Sequence, residues 1–464
     1  MGNCQFKTCV AALILVTLLA LSLIGHAQTP EEALPEEALP EEQVPEEQVL
    51  EEQGPEEQGP DSLAFEQAAD EQAPKQKTPE EEAVAADTDG SLDDADGSIE
   101  IEEVEEGLSV AADVRAGYAG SETEEGDGSN STDDLWGARW RIQGTVGIFP
   151  YLRGSVRMAG LCTTNECEPN FVLTDYLPTT SSMEQGDITL DQAYLHWYRL
   201  DKFDVAAGRL QTKFVARGGV FAKSLDRNTS NGTNVNWTDG MHAAYQAKHG
   251  WVSHLIVQHN APEGATEVRR DPLDFESSDA RASYFLAFEN LERTPLFLQR
   301  GLDISYLPST LLKDGTQAGR REDYVGIVAR SANRWPERDD DIRLRVAAEI
   351  GYAPETQTRA AAGLAGDGDA DGVAWNVAIS VMEFKPNHSL GVNYGEVGAG
   401  WLLSPQFRQN EALAEIRYLW RRSKDLALDI RFRQRTEMEQ LVSSDQLQTE
   451  YDFFVRITWG TTLW

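Results

Sequence analysis

The sequence predicts an all-β protein: a transmembrane antiparallel β-barrel of about 16 strands that follows a disordered acidic N-terminal extension. Three observations lead to this prediction. Apolar and polar residues alternate in many short segments after residue 107, those segments number 16, and the connections between them alternate between short and long. Alternation with a period of two is the pattern of strands that have one apolar and one polar face.

The first 27 residues have the organisation of a secretory signal peptide. Lys7 precedes an uncharged apolar run over residues 9–24, and Gly25 and Ala27 are small residues at a cleavage site. This three-part pattern predicts export with removal of residues 1–27. An uncleaved anchor helix is the alternative, although a run of 16 residues barely spans a bilayer.

Residues 28–106 form a strongly acidic segment with 29 Asp and Glu and only 2 Lys, in a chain whose net charge is −38. Within it, residues 30–60 repeat a five-residue unit that usually begins with Pro and two Glu. Proline at this spacing blocks a continuous helix, and paired glutamates repel each other. We therefore predict a disordered periplasmic extension. The acidic balance argues against a nucleic-acid partner, because phosphate recognition needs a basic face.

Residues 107–464 hold the predicted barrel, and after residue 27 no apolar run is long enough for a membrane-spanning helix. Allowing about 22 residues for each strand and its connection suits strands of roughly ten residues. The predicted strands lie near 108–119, 135–148, 151–160, 187–199, 203–212, 239–248, 251–259, 280–289, 299–307, 323–331, 341–352, 372–383, 389–401, 411–422, 426–436 and 449–460.

The connections favour a membrane barrel over a soluble β-sandwich, in which the polar strand faces would meet bulk water. Short turns on one rim and long polar loops on the other are the plan of an outer-membrane barrel. The even strand count and the aromatic final strand point the same way. Short connections are predicted at 149–150, 199–202 and 423–425, and long ones at 161–186, 213–238, 260–279, 308–322 and 354–371.

Arginines recur on the polar faces of the predicted strands. Because the apolar face of a membrane barrel meets lipid, the arginines are expected to line the lumen. Guanidinium groups stay charged and bind carboxylates and phosphates in a forked geometry, so rows of them predict a ladder for anions. The alternative is an interior salt-bridge network that stiffens the wall. The predicted pore-lining residues are Arg139, Arg141, Arg153, Arg157, Arg343, Arg345, Arg417, Arg421, Arg431, Arg433, Arg435 and Arg456.

Carboxylates are expected to oppose these arginines, both from the wall and from a loop that folds inward. The wall carboxylates on the predicted polar faces are Asp113, Glu349, Glu415, Asp429 and Asp452.

Two further motifs concern the loops. Cys162 and Cys167 are predicted to form a local disulfide, because export leads to an oxidising compartment. Asp367, Asp369 and Asp371 match the first half of a calcium-binding loop, but its twelfth position is Ala378 instead of glutamate. We expect a plain acidic loop here rather than a calcium site, and no cofactor.

One hairpin resembles a known family. Residues 190–198 (LDQAYLHWY), a short turn and residues 203–214 are similar to the hairpin of the phosphate-selective porin family and its wider Gram-negative relatives, in which an Ala-Tyr strand pairs with a Gly-Arg strand. The final strand resembles the signal that the barrel-assembly machinery reads. Alginate-export barrels share a similar hairpin, with a downstream step that resembles Asp239-Gly240.

The resemblance implies a homotrimeric channel in the outer membrane of a Gram-negative bacterium. Its expected partners are small hydrophilic solutes or anions, membrane lipid and lipopolysaccharide. The expected function is passive diffusion without catalysis. An exporter of acidic polysaccharide is the main alternative, and a barrel hydrolase is a weaker one. No motif supplies His196 with the serine and aspartate partners of a hydrolase triad.

Overall fold

The computed structural model describes residues 107–164, 170–171, 187–200, 202–210, 212, 214–221, 223–226, 238–258, 282–290, 292, 294, 297–313, 321–334, 343–404, 406–423 and 425–462. The predicted signal peptide (1–27) and the predicted disordered extension (28–106) lie outside these residues. Among the residues described, no helix is long and apolar enough to cross a membrane.

The described residues contain 17 strands. They are β1 (Leu108–Glu124), β2 (Asn130–Phe149), β3 (Leu152–Thr163), β4 (Asn170–Phe171), β5 (Asp187–Leu200), β6 (Phe203–Leu210), β7 (Thr238–Gln246), β8 (Trp251–Gln258), β9 (Ser283–Asn290), β10 (Phe297–Leu312), β11 (Arg321–Arg334), β12 (Arg343–Tyr352), β13 (Val373–Lys385), β14 (His388–Val397), β15 (Glu411–Arg421), β16 (Leu426–Glu437) and β17 (Thr449–Thr462).

Sixteen of these strands close into one antiparallel barrel. Each pairs with its neighbour along the chain, and β17 pairs with β1 to close the ring. The two-residue β4 is not part of the wall, because it lies parallel to the start of β5 while β3 pairs directly with β5. The predicted fold is therefore confirmed, and each predicted strand overlaps one observed strand.

The observed strands differ from the predicted ones mainly in length. β2 begins at Asn130, five residues before the predicted start, and β1 continues to Glu124. The added residues, such as Asp133 and Asp134, are polar on both faces and exposed. Alternation disappears from a sequence where both faces of a strand meet water, so the pattern could not mark these ends.

The side chains follow the predicted phase. On β2, Trp136 is 61% exposed and Ile142 is 50% exposed, whereas Arg139 and Arg141 between them are buried. On β17, Ile457 and Trp459 are exposed outward while Arg456 is buried. Apolar side chains on the outer face of a closed barrel are the ones that meet hydrocarbon in a membrane.

The connections are unequal on the two rims. The rim that carries the connections 150–151, 201–202, 247–250, 291–296, 386–387 and 422–425 is called the short-turn rim below. The opposite rim carries the connections 211–237, 353–372, 398–410 and 438–448, and it is called the long-loop rim.

Two connections of the long-loop rim fold into the lumen. The first inward loop, residues 212–226, packs Val220 and Phe221 against Ala378, Met382 and Leu419 of the inner wall. The second inward loop, residues 398–410, buries Trp401, Leu402, Leu403 and Phe407 in a cluster with residues of β10, β11 and β15. An inward-folded loop was expected from the sequence, but its position was not.

The inner faces of β11–β14 carry many glycines and alanines, and they are called the small-residue wall below. The loops need this lack of side chains. A Cβ atom at Gly391 would lie 2.5 Å from Val220 Cγ2, and one at Gly351 would lie 2.6 Å from Trp401 Cη2. The small-residue wall is therefore the surface on which both inward loops rest.

Candidate functional site

The candidate site is the lumen, and its most concentrated charge lies where β15, β16 and β17 meet. The carboxylate of Asp429 accepts hydrogen bonds from three guanidinium groups. Arg417 donates through Nε and Nη2, each at 2.9 Å, Arg431 donates through Nη2 at 2.6 Å, and Arg456 through Nη2 at 2.8 Å. The strand register explains the cluster, because Arg417 lies opposite Arg431 and Asp429 lies opposite Arg456.

A second cluster lies on β1, β2, β3 and β5. Arg139 donates to Asp113 at 2.6 Å, and Arg115 lies 3.8 Å from the same carboxylate. Asp191 is fully buried, and Arg141 Nε lies 3.1 Å from it. Arg157 donates to both oxygens of Asp191, at 2.8 and 2.7 Å. This geometry is the forked arrangement that guanidinium favours with a carboxylate.

Other ion pairs continue the same surface towards the long-loop rim. Arg435 donates to both oxygens of Glu411 at 2.8 and 2.9 Å. Arg433 Nε lies 3.1 Å from Asp452. The inner faces of β15–β17, β1–β3 and β5 together form the arginine wall.

The remaining predicted arginines lie closer to the short-turn rim or have other partners. Arg153 donates to His196 Nδ1 at 2.8 Å, and His196 in turn contacts Asp204. Arg343, the first residue of β12, is 46% exposed and pairs with Glu383 at 2.9 Å. Arg345 and Arg421 are half-buried on the inner phase of their strands. That these arginines line a conducting pore stays a prediction.

Several charged side chains of the lumen were missed from the sequence, and besides Arg115 and Asp191 of the arginine wall they form three groups. Arg330 on β11 contacts Asp303 and lies 3.5 Å from Glu349. Lys223 on the first inward loop lies 2.7 Å from Glu415. Arg330 shares the inner phase of Tyr324 and Val328, so alternation could have found it. Lys223 sits in an irregular loop, and no periodic signal points to it.

The third missed group is a pair of residues, Arg209 and Asp239, which come from the two sequence steps of the hairpin resemblance. Arg209 and Asp239 lie opposite each other on β6 and β7, and Arg209 donates to both carboxylate oxygens at 2.9 and 3.1 Å. Their neighbours Gly208 and Gly240 are also paired, and Gly208 has a φ of +127° that a side chain would strain. The Gly-Arg and Asp-Gly steps are thus one structural feature.

The first inward loop carries charges of both signs. Asp226 accepts a hydrogen bond from Ser305 Oγ at 3.1 Å and lies 3.7 Å from Arg330. The amide of Leu225 donates to Glu349 at 3.0 Å. With Lys223 on Glu415, these contacts attach the loop to three separate places on the wall. The sequence predicted acidic side chains on an inward-folded loop. Among the described residues of the first inward loop, one acid, Asp226, and one base, Lys223, are buried.

The start of this loop rests on a pair of histidines. Phe214 lies edge-on to His254, with ring centroids 4.9 Å apart, and His242 Nε2 lies 3.0 Å from His254 Nδ1. Gln299 reaches the same segment, since its Nε2 donates to the carbonyl of Val215 at 3.0 Å and its Oε1 accepts from the amide of Arg217 at 3.0 Å. The loop is held at both ends.

The two loop motifs have different outcomes. Cys162 is disulfide-bonded, and the predicted partner Cys167 lies outside the described residues. Asp369 lies 3.4 Å from Lys313, and Asp371 accepts the amide of Val373 at 3.0 Å. No group of three or more His, Cys, Asp or Glu side chains in the described part of the chain could hold a metal ion. At Asp367, Asp369 and Asp371 the sequence favours a plain acidic loop over a calcium site, and this stays a prediction.

No family model and no curated protein matches the sequence. Solved structures do match: Pseudomonas putida OprB, solved at high pH, is 10% identical over 77% of this chain and 94% of its own, with a TM-score of 0.51. Acinetobacter baumannii OccAB4 has a TM-score of 0.46 at 10% identity over 78% of this chain and 100% of its own. Pseudomonas aeruginosa OccK8 (OprE) has a TM-score of 0.45 at 11% identity over 77% and 98%.

OprB is a Gram-negative outer-membrane porin. The chain therefore has the fold of an outer-membrane porin. At this level of identity the likeness establishes the fold alone. The fold and the apolar outer face agree with a location in the outer membrane. A specific likeness to phosphate-selective porins stays a prediction.

Proposed function

We propose that the protein is an outer-membrane porin, a passive diffusion channel for small hydrophilic solutes and ions. One observation carries the proposal: a closed barrel that is apolar outside and charged inside, with a loop folded against its inner wall. An apolar outer band and a polar interior are the arrangement of membrane barrels that conduct water-soluble solutes. The two inward loops would set the width of the passage.

The arginine wall supports a preference for anions. Among the described residues, seven arginines lie within 4 Å of just three aspartates, namely Asp113, Asp191 and Asp429. Guanidinium groups stay charged at any working pH, so this part of the wall has a positive local potential whatever the pairing. A positive surface along a passage raises the local concentration of anions. The ion pairs would also stiffen the wall, and both roles are compatible.

The proposed partners follow from the outer face. Its apolar side chains fit lipid, and lipopolysaccharide would surround the long-loop rim in an outer membrane. The exposed Phe453, Ile457 and Trp459 of β17 suit recognition by the barrel-assembly machinery. We also propose a homotrimer. No reaction is proposed, because the side chains in contact with His196 are Arg153 and Asp204, and neither supplies the serine of a hydrolase triad.

Recording from the purified protein in planar bilayers tests the function. A porin should give steady ohmic steps of conductance, and the reversal potential in a salt gradient should show a preference for the anion. Swelling of liposomes in neutral sugars of increasing size would measure the width. A correctly folded, heat-modifiable barrel that shows neither conductance nor swelling would refute the proposal, and hydrolytic activity from that barrel would favour an enzyme.

A further inference from the structure

One arginine of the barrel faces outward, away from the lumen. Arg300 lies on β10 in the same phase as Leu302 and Tyr306, which are 42% and 37% exposed on the outer face. The neighbouring Gly301 faces inward, since a Cβ there would lie 3.0 Å from the Arg330 side chain. Arg300 is therefore on the surface that otherwise presents apolar side chains to the membrane.

Aromatic rings hold the guanidinium of Arg300 in place. Its Cζ lies 5.9 Å from the ring centroid of Trp251 and 5.4 Å from that of Phe297. The register explains the contact with Trp251, because Trp251 and Arg300 lie on either side of Asn290 in one row across β8, β9 and β10. Asn290 is buried beneath them, and its amide donates to the carbonyl of His249 at 2.8 Å.

This group sits at the edge of the apolar band. Trp251 is the first residue after turn 247–250, and Phe297 is the first residue of β10 after residues 291–296. Both connections belong to the short-turn rim. In a membrane barrel, tryptophan and basic side chains at this level lie among lipid headgroups.

The described part of the barrel does not neutralise the charge of Arg300. Among the described residues, no carboxylate lies within 4 Å of its guanidinium, and its buried Nε has no hydrogen-bond partner. Arg343 differs, although it lies near the same rim, because Glu383 is 2.9 Å away. A guanidinium at the boundary of hydrocarbon needs an anion close by, since a lone charge there is poorly solvated.

We infer that Arg300, Trp251 and Phe297 form a binding site for the phosphate of a glycerophospholipid. The guanidinium would donate to the phosphate oxygens, and the two rings would contact the glycerol and the first methylenes of the acyl chains. An anionic lipid such as phosphatidylglycerol should bind better than a zwitterionic one, because its net charge is not cancelled by an ammonium group. The inference depends on the membrane location of the barrel in the proposed function, with the short-turn rim in the lipid leaflet on the periplasmic side.

Native mass spectrometry of the detergent-purified protein, titrated with phosphatidylglycerol, tests this site. The matched pair of variants is Arg300→Gln and Arg343→Gln, which remove one arginine each near the same rim. We expect Arg300→Gln to weaken lipid binding about fivefold, the effect of one basic group near an anionic lipid, and Arg343→Gln to leave it unchanged. Arg300→Lys should retain most of the binding, and heat-modifiable migration shows that each variant is folded.

Two results would overturn the inference. One is equal lipid binding by the wild type, Arg300→Gln and Arg343→Gln. The other is displacement of the lipid by millimolar inorganic phosphate, which would make the site one for a soluble anion. Conductance is recorded on the same samples, so the two proposals fail separately. A conducting barrel whose lipid binding ignores Arg300 refutes only the lipid site, and a silent barrel whose lipid binding needs Arg300 refutes only the channel.

Discussion

The two halves of the inner surface use the same strand geometry in opposite ways. The arginine wall fills its inward positions with long charged side chains that satisfy one another across strands, as Arg417, Arg431 and Arg456 do around Asp429. The small-residue wall has glycine or alanine at many of its inward positions, and loops fill the space instead. Trp401 over Gly351 and Val220 beside Gly391 are the clearest contacts.

The difference shows that the inner face of a closed barrel must be covered by side chains, in addition to the hydrogen bonds between its strands. An inner face can be covered by side chains from the wall or by side chains from a loop, but not by both at one place. Small residues on β11–β14 therefore fix where the loops lie. Under the proposed function, the loops would leave the arginine wall as the side of the lumen that solutes meet.

The largest expected effect comes from removing the carboxylate at the centre of the arginine wall. Asp429→Ala would leave three guanidinium groups close together in a buried place, so we expect the barrel to lose about 3 kcal/mol of stability or to assemble poorly. Urea unfolding in lipid vesicles, followed by tryptophan fluorescence, measures the change. The control is Glu383→Gln, which removes an exposed carboxylate and should cost less than about 1 kcal/mol. Equal effects of the two variants would show that the cluster at Asp429 contributes little.

A second prediction concerns the small-residue wall. Gly391→Val would place methyl groups where Val220 and Phe221 lie, so we expect the first inward loop to shift and the fold to lose about 1–3 kcal/mol. Single-channel conductance should change, because the loop narrows the lumen. Gly144→Val is the matched control, since no atom lies within 4 Å of the added Cβ. Unchanged conductance in Gly391→Val would mean that the loop does not control the width.

The arginine wall should also control the choice of ion. Replacing Arg431 and Arg433 together by alanine removes two positive charges from the inner face of β16, so the reversal potential in a salt gradient should move towards that of an unselective channel. The double variant keeps Asp429 paired with Arg417 and Arg456. Arg300→Ala is the control, because it removes a positive charge from the outer face and should leave the potential nearly unchanged. If the double variant keeps the anion preference, the arginine wall is a purely structural network.

The alternation of apolar and polar residues explains which parts of the fold and of the candidate site could be predicted from the sequence. Sixteen strands and the inward phase of Arg139, Arg431 and Arg456 follow from a period of two, because one face must meet lipid and the other water. An inward-folded loop was expected, but the positions of the inward loops could not be predicted, since residues 212–226 and 398–410 have no period. Their places are set by tertiary contacts such as Trp401 Nε1 to the carbonyl of Leu225, 176 residues apart in sequence.

Pairing between strands was harder to predict than the phase within a strand, and the pairing of Arg209 with Asp239 shows why. The Gly-Arg step and the Asp-Gly step resemble different groups of barrels, yet the register places them side by side. A strand register is fixed by long-range pairing, which no local pattern reports. The same limit hid the outward position of Arg300, where β10 has a register irregularity between Phe297 and Gln299.

The smallest expected effect lies on the long-loop rim, above both walls. Arg359 donates to both carboxylate oxygens of Glu439 at 3.3 and 2.6 Å, and these bonds hold the pKa of Glu439 below its usual value. A carboxylate with a lowered pKa stabilises the folded state above its ordinary pKa, and that contribution is lost as the pH falls through the lowered value. The pair links loops 353–372 and 438–448, and both side chains are partly exposed, so solvent screens it. Limited proteolysis should therefore cut these loops slightly faster in Glu439→Gln than in the wild type at pH 7. With an acid-tolerant protease, the difference should shrink as the pH is lowered through and below the ordinary range of a glutamate carboxyl. A difference that persists in acid would assign the effect to packing of the side chain instead of its charge.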